Sequence, residues 1–377
     1  MSDDPRLGDL VQHASLEDVR RNDLVIVGFP HDEGCRRNGG RVGAASGPAT
    51  FRKLYPRMGT LANAEFGVDL HKLSIKDVGD CKTGVELEDA LADLERIVAS
   101  ILSKGGIPFV IGGSNDQSYA NASALMHVNG GGQSIGVVNI DAHLDVRPLK
   151  EGKVHSGSPF RLLLEDPRFG YQSGRPSPSK TDVAGRGKFV EFASQGNQCS
   201  IEHVKYLEGK SCAIHWLSSL RGMASTKFSA VLDDLSRVEP GGKSTVRSSS
   251  AGPESWEQEW KSVTQSAAPL VSSAVSPDAS APRNRDVFVS FDLDAVCSRD
   301  APGVSAVGTI GLSSDDALEM CFLAGINPQV RLFDLSEFNP VVDEWRTGRL
   351  VVNMFYWFAM GLSKRVTVTA GVGTSKL

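Results

Sequence analysis

Short apolar runs recur along the chain, and each ends in polar residues. Leu24–Phe29, Ile107–Ile111, Ile135–Ile140, Phe189–Phe192, Cys212–Trp216, Val287–Leu293 and Val330–Leu335 are rich in Val, Ile and Phe. They lack the apolar–polar alternation of a half-exposed strand, so they predict strands buried on both faces. Between several of them the period changes to that of a helix. The clearest case is about Val85–Lys104, where Leu87, Leu91, Leu94, Val98 and Ile101 share one face. Thr83 and Glu86 have capping-box spacing ahead of it, and Gly105 follows as a stop. Strands alternating with helices predict an α/β fold, a three-layer α/β/α sandwich around a mostly parallel sheet. In such sheets ligands gather at the carboxyl ends of the strands.

The pattern is interrupted at about 241–285, which is rich in Ser, Ala, Pro and Gly and reads as a disordered surface insertion. About Asp166–Gly187 reads similarly. Strands continue on both sides of each, so a single domain over 1–377 is expected. The formal net charge of −5 provides no basic footprint for nucleic acid. The longest apolar run, Val351 to Leu362, is short of the ~20 residues a membrane span needs. The first residues, Met-Ser-Asp-Asp-Pro, are too polar for a signal peptide. Six cysteines have no CxxC spacing, which argues against a disulfide framework or structural zinc and for a reducing compartment. The last three residues, Ser375-Lys376-Leu377, form the tripeptide read by a peroxisomal import receptor, so a peroxisome or glycosome is the expected location.

Two of the apolar strands end in acid. In Asp141-Ala142-His143-Leu144-Asp145, an extended backbone would place Asp141, His143 and Asp145 on one face. In Ser290-Phe291-Asp292-Leu293-Asp294 it would pair Asp292 with Asp294. Four carboxylates gathered at a sheet end repel one another, and two divalent cations would balance their −4 charge. With His143 as a neutral nitrogen ligand, the mixed O/N set favours Mn²⁺ over thiolate-seeking metals. Two ions ~3.5 Å apart can share a bridging water and bring its pKa toward neutrality.

These motifs resemble the ureohydrolase family of arginase, agmatinase and formimidoylglutamase. Gly28-Phe29-Pro30, Asn38, Arg41, Gly43 and Gly47-Pro48 are similar to the family's opening loop. Gly112-Gly113-Ser114-Asn115 resembles its Gly-Gly-x-His turn, and Asp141 to Asp145 matches Asp-Ala-His-x-Asp in full. Asp334-Leu335-Ser336-Glu337-Phe338-Asn339-Pro340 resembles the late Asp-x-x-Glu-x-Asn-Pro motif. Within the family, Ala301-Pro302-Gly303-Val304-Ser305-Ala306 and Ser156-Gly157-Ser158-Pro159-Phe160 look most like formimidoylglutamase. The resemblance implies an oligomeric enzyme that hydrolyses a small-molecule substrate, N-formimidoyl-L-glutamate, to L-glutamate and formamide. Arginase or agmatinase activity is the alternative within the family.

The resemblance also implies roles. Asn115, Asp141, Asp145 and Asp292 would hold one ion, and Asp141, His143, Asp292 and Asp294 the other. Asn115 stands where the family has His, so one of the two Mn²⁺ sites is expected to be weak. That replacement also keeps open a catalytically silent, metal-poor relative. Asn115 reads equally as a helix N-cap, and Asp116 as a substitute ligand that points ~100° away in a starting helix. Asp294 would relay the proton of the attacking hydroxide, Glu337 would hold the amidine nitrogens, and His155 would shuttle protons. The two substrate carboxylates call for cations, and Arg147, Lys150 and Lys153 follow the metal strand. Cys35 and Cys297 lie in loops at the same sheet end, either as a redox-switching disulfide or as two unrelated thiols.

Overall fold

The computed structural model describes residues 4–170, 186–238 and 284–371. The strands are β1 (Val11–His13), β2 (Leu24–Phe29), β3 (Ala62–Asn63), β4 (Val68–Asp69), β5 (Ile75–Asp80), β6 (Ile107–Gly112), β7 (Ile135–Ile140), β8 (Lys188–Ser194), β9 (Ala213–Trp216), β10 (Asp286–Asp292) and β11 (Val330–Ser336). β3 and β4 form a small antiparallel pair. The other nine form one sheet in the order β1-β5-β2-β6-β11-β10-β7-β8-β9, with every pairing parallel. All seven predicted strands are in it. β1 and β5 are additions: one is three residues long, and the other, Ile-Lys-Asp-Val-Gly-Asp, carries charge at three of six positions. Neither gives the continuous apolar signal of the central strands.

Helices cover both faces, which completes the three layers. On one side Phe109, Phe291, Phe333 and Val138 meet the helices Ala224–Ser236, Ser314–Ile326 and Trp345–Gly371. Phe109 and Phe333 stack there with centroids 4.8 Å apart. On the other side Val110, Val137, Phe288 and Leu332 pack with the helices Leu87–Ser103, Gln117–Asn129 and Pro159–Glu165. The first of these begins at Leu87, with Glu86 at its N-cap and no side-chain cap bond, so the expected Thr83–Glu86 box is not made. Gly84 turns the chain with φ +70° just ahead of it. The helix Trp345–Gly371 contains the run from Val351 to Leu362, and among the described residues no helix is long and apolar enough to cross a membrane. The predicted insertion at 241–285 lies outside the described residues except at its end, as do the Ser375-Lys376-Leu377 tail and most of the second polar stretch.

Candidate metal centre

Four adjacent strands, β6, β11, β10 and β7, all point their carboxyl ends the same way. The residues following them are Gly113–Gln117, Glu337, Leu293–Ala295 and Asp141–Asp145. Their convergence does not come from strand alternation. β7 ends at Ile140, and Asp141–Asp145 form a turn in which Asp145 takes φ +40°. β10 ends at Asp292, and Leu293–Ala295 form a 3₁₀ turn whose Asp294 N–H donates to Asp292 Oδ1 at 3.0 Å. Glu337 takes φ +65°, and its N–H donates to the Gly113 carbonyl at 2.7 Å. Non-glycine residues in the left-handed region are costly and persist where their surroundings over-determine them. Here two of them carry acids into one site.

The result is two groups of donors. Asp141, His143 and Asp145 offer ligand atoms that lie within 4.8 Å of one another, and so do Asp141, Asp292 and Asp294. Asp141 belongs to both. Asp141, Asp145, Asp292, Asp294 and Glu337 are all buried. Burial and mutual repulsion hold the protons of Asp145 and Asp292 on well above the carboxylate range. Burial pushes Asp294 up to about 6. Asp141 stays low against its own burial because of His143. His143 Nδ1 lies 3.0 Å from Asp294 Oδ2 and 3.4 Å from Asp141 Oδ1. Asp294 chiefly, then Asp141, drive its proton affinity far up. Acids outnumber the single imidazole in this buried cluster, so its charge fits cations. Four carboxylates and one imidazole are a suitable donor set for two divalent ions.

Asn115 joins this centre in a way the sequence does not predict. Its Oδ1 accepts from Ser118 Oγ at 2.8 Å and Ser336 Oγ at 3.0 Å, and its Nδ2 donates to Asp145 Oδ2 at 2.8 Å. The amide oxygen thus faces two hydroxyls, of which Ser118 also lies 3.0 Å from Asp334 Oδ2, and the amide nitrogen holds the candidate ligand Asp145. Asn115 is not the N-cap; Asp116 takes that position, without a side-chain cap bond. Asp116 turns away from the cluster, accepts from Ser114 Oγ and packs against Gly34. Glu337 accepts the Asn115 N–H on Oε1 at 3.0 Å. Its Oε2 is buried without a partner among the described residues, and burial pushes the group up to about 8.

His155 serves its own loop. Its Nδ1 accepts from the Gly157 N–H at 3.2 Å, which leaves Nε2–H to donate to the Pro148 carbonyl at 3.1 Å. Both ring nitrogens are thus engaged by the backbone of the loop itself. Arg147 is exposed; its backbone is tied to Gly157, and its side chain lies across that residue, where a Cβ would come within 2.7 Å of Arg147 Cδ. Lys150 Nζ donates to the Arg37 carbonyl at 3.2 Å. Burial first, then the nearby charges of Arg147, Lys150 and Arg37, lower the pKa of His155. All six cysteines are free thiols. Cys35 donates to the Arg41 carbonyl and to Ser305 Oγ, whereas Cys297 donates to Asp300, so the expected alternative of a disulfide is not formed.

The sequence is related to known proteins along most of its length. Residues 22–195 and 262–361 match the model of the arginase family. The chain belongs to the arginase family. It is 38% identical to the formiminoglutamase of Trypanosoma cruzi, solved with Mn²⁺, with a TM-score of 0.75 over 96% of this chain and all of the other. It is 25% identical to the formimidoylglutamase of Paraburkholderia xenovorans, over 94% of this chain and 95% of that one. The formimidoylglutamase of Bacillus subtilis, 18% identical with a TM-score of 0.72 over 96% of this chain and 93% of the other, shares the fold. This arginase-family chain carries further polar residues near the centre that sequence reasoning missed: Asn139, Glu191, Ser118 and Ser336. Asn139 and Glu191 interrupt apolar strands, a signal visible in Val-Val-Asn-Ile and Phe-Val-Glu-Phe.

Proposed function

We propose that this chain hydrolyses N-formimidoyl-L-glutamate to L-glutamate and formamide, with Mn²⁺ as the resident ion. The single observation that carries the reading is the sharing of Asp141 between two groups of buried donors. The similarity to formimidoylglutamases supports the choice of substrate. Asp141, His143, Asp145, Asp292 and Asp294 would hold two ions, with Asn115 supporting Asp145. The ion on the Asp145 side is the weaker, because an amide stands where the family has imidazole. Divalent ions bound there lower the pKa of water and polarise the substrate's amidine carbon. The chain's own groups do the rest. Asp294 accepts a proton from the attacking water and delivers it to the substrate's α-nitrogen as the bond from the amidine carbon to that nitrogen breaks. Glu337, with an unpartnered buried oxygen, orients the amidine N–H groups. Arg147 supplies positive charge to the substrate carboxylates from the loop above.

The test is a substrate panel with protein loaded in excess Mn²⁺. Formamide release from formimidoylglutamate, and no urea from arginine or agmatine, is expected. Urea as the main product would overturn the substrate. Asp294→Ala should lower kcat by a factor of ~10³ or more while circular dichroism stays that of the parent protein, since acid–base catalysis and ligation are lost together. Full activity in that variant would overturn the mechanism.

A further inference from the structure

One buried acid plays no part in the reaction above. Glu191 lies on β8 beside Asn139 on β7, directly paired in register. Both are fully buried. Asn139 Nδ2 donates one hydrogen to Glu191 Oε2 at 2.9 Å and the other to Asp141 Oδ2 at 3.2 Å. Among the described residues no cation pairs with Glu191, and its Oε1 has no partner. A carboxylate buried without a counter-ion destabilises a fold. Packing alone would favour an apolar residue here, as at Phe189, two positions earlier on the same face and buried in the same layer. What the acid does contact is the amide of its neighbour.

Asn139 has one NH₂ and one oxygen, and an amide can present either to Asp141. Oxygen against carboxylate would repel it; NH₂ holds it. An acceptor on the opposite side fixes the choice, because Glu191 Oε2 receives one amide hydrogen, as a carboxylate or as the carbonyl of a neutral acid, and the other hydrogen then falls to Asp141. Asp141 Oδ1 is already held by the His143 N–H at 2.7 Å. With Oδ2 held through Asn139, the whole carboxylate is oriented. This is the donor common to both groups. We propose that Glu191 is a positioning residue for the metal centre, acting through Asn139 to orient the carboxylate of Asp141 on which both ion sites depend. The inference rests on the reading of the cluster as a metal site.

The test measures Mn²⁺ binding, by the free-ion electron paramagnetic resonance signal, to the full chain and to four variants. Glu191→Gln retains a carbonyl acceptor and should bind Mn²⁺ within about threefold of the parent, the fall expected when a partner is kept. Glu191→Leu fills the space without an acceptor and should weaken both ions by ~10–100-fold, as loss of an outer-shell partner does. Asn139→Ala should match Glu191→Leu, and it reads the same lock should the leucine variant fail to fold. Combining Glu191→Leu with Asn139→Ala should add nothing to either alone, since they remove one linkage. Parent-like affinity in Glu191→Leu and Asn139→Ala overturns the proposal, as does equal loss in Glu191→Gln and Glu191→Leu, or full additivity in the double variant. Failure of the parent itself to bind Mn²⁺ sinks the metal reading, and the proposal with it.

Discussion

Asn115 shows how much one side chain's role depends on groups far away in sequence. Ser118, the second residue of the following helix, and Ser336, at the end of β11, face its oxygen, and Asp145 takes its nitrogen. Asn115→Leu would leave the Ser336 hydroxyl and the Asp145 carboxylate short of a partner, while Ser118 keeps Asp334 and Ser290, and each unsatisfied buried group costs about 1–3 kcal/mol. Urea unfolding of the metal-free protein should show a loss of at least that size. None of this is legible at position 115, where the sequence shows only an amide in place of an expected ligand. The carboxylates themselves are legible, because acids directly following apolar strands are conspicuous and their spacing is local. Glu191 supplies a pH prediction. Burial, then repulsion from Asp141, raises its pKa well above 4.5. The folded state then holds a proton that the unfolded chain has lost, so stability is full below pH ~4.5 and falls as pH rises through the folded value. Glu191→Gln removes that slope. Its melting temperature, without metal, should equal the parent's near pH 4.5 and exceed it increasingly toward pH 8.5.

At the level of elements, the central strands announce themselves because both faces are covered and the side chains are almost uniformly apolar. The edge of the sheet does not, since β5 mixes charge into a short run and Asp77 and Asp80 are used to hold Arg52. The turns that aim the acids read in the sequence as continuing strand; the positive φ values of Asp145 and Glu337 and the 3₁₀ turn at Leu293–Ala295 are how the chain breaks there. The helices Ser314–Ile326 and Trp345–Gly371 pack backbone against backbone. A Cβ on Gly325 would meet the Phe358 carbonyl at 2.2 Å, and one on Gly361 would meet the Phe322 carbonyl at 2.2 Å. Backbone touches backbone at both points, so neither side can yield by rotating a side chain. Gly361→Ala should destabilise by about 1–3 kcal/mol, the range for overpacking, or by more if the helices must separate. The change should appear in thermal unfolding, with Mn²⁺ affinity much less affected because the two helices lie on the sheet face away from Asn139 and Glu191.

For the whole molecule, the nine-stranded order brings together segments that are distant along the chain. Asp141, His143 and Asp145 precede the Ser/Ala/Pro-rich stretch, and Asp292, Asp294 and Glu337 follow it. Yet the described ends of the chain on either side of that stretch meet. The Arg285 N–H donates to the Ser236 carbonyl at 2.8 Å, and Arg285 Nε donates to the Gln133 carbonyl at 3.0 Å. The cost of closing a loop between fixed ends changes only slowly with its length, by about 0.6 kcal/mol per doubling. Replacing residues 241–281 by a short Gly/Ser linker should therefore leave the melting temperature and the Mn²⁺ stoichiometry unchanged. A sharp fall in either would show that the excised residues are part of the fold. The same closure has a practical corollary. A cut within that stretch would divide the donors between two polypeptides, neither able to bind a pair of ions alone, so recovery of manganese capture on mixing them would serve as a direct signal that the halves had rejoined.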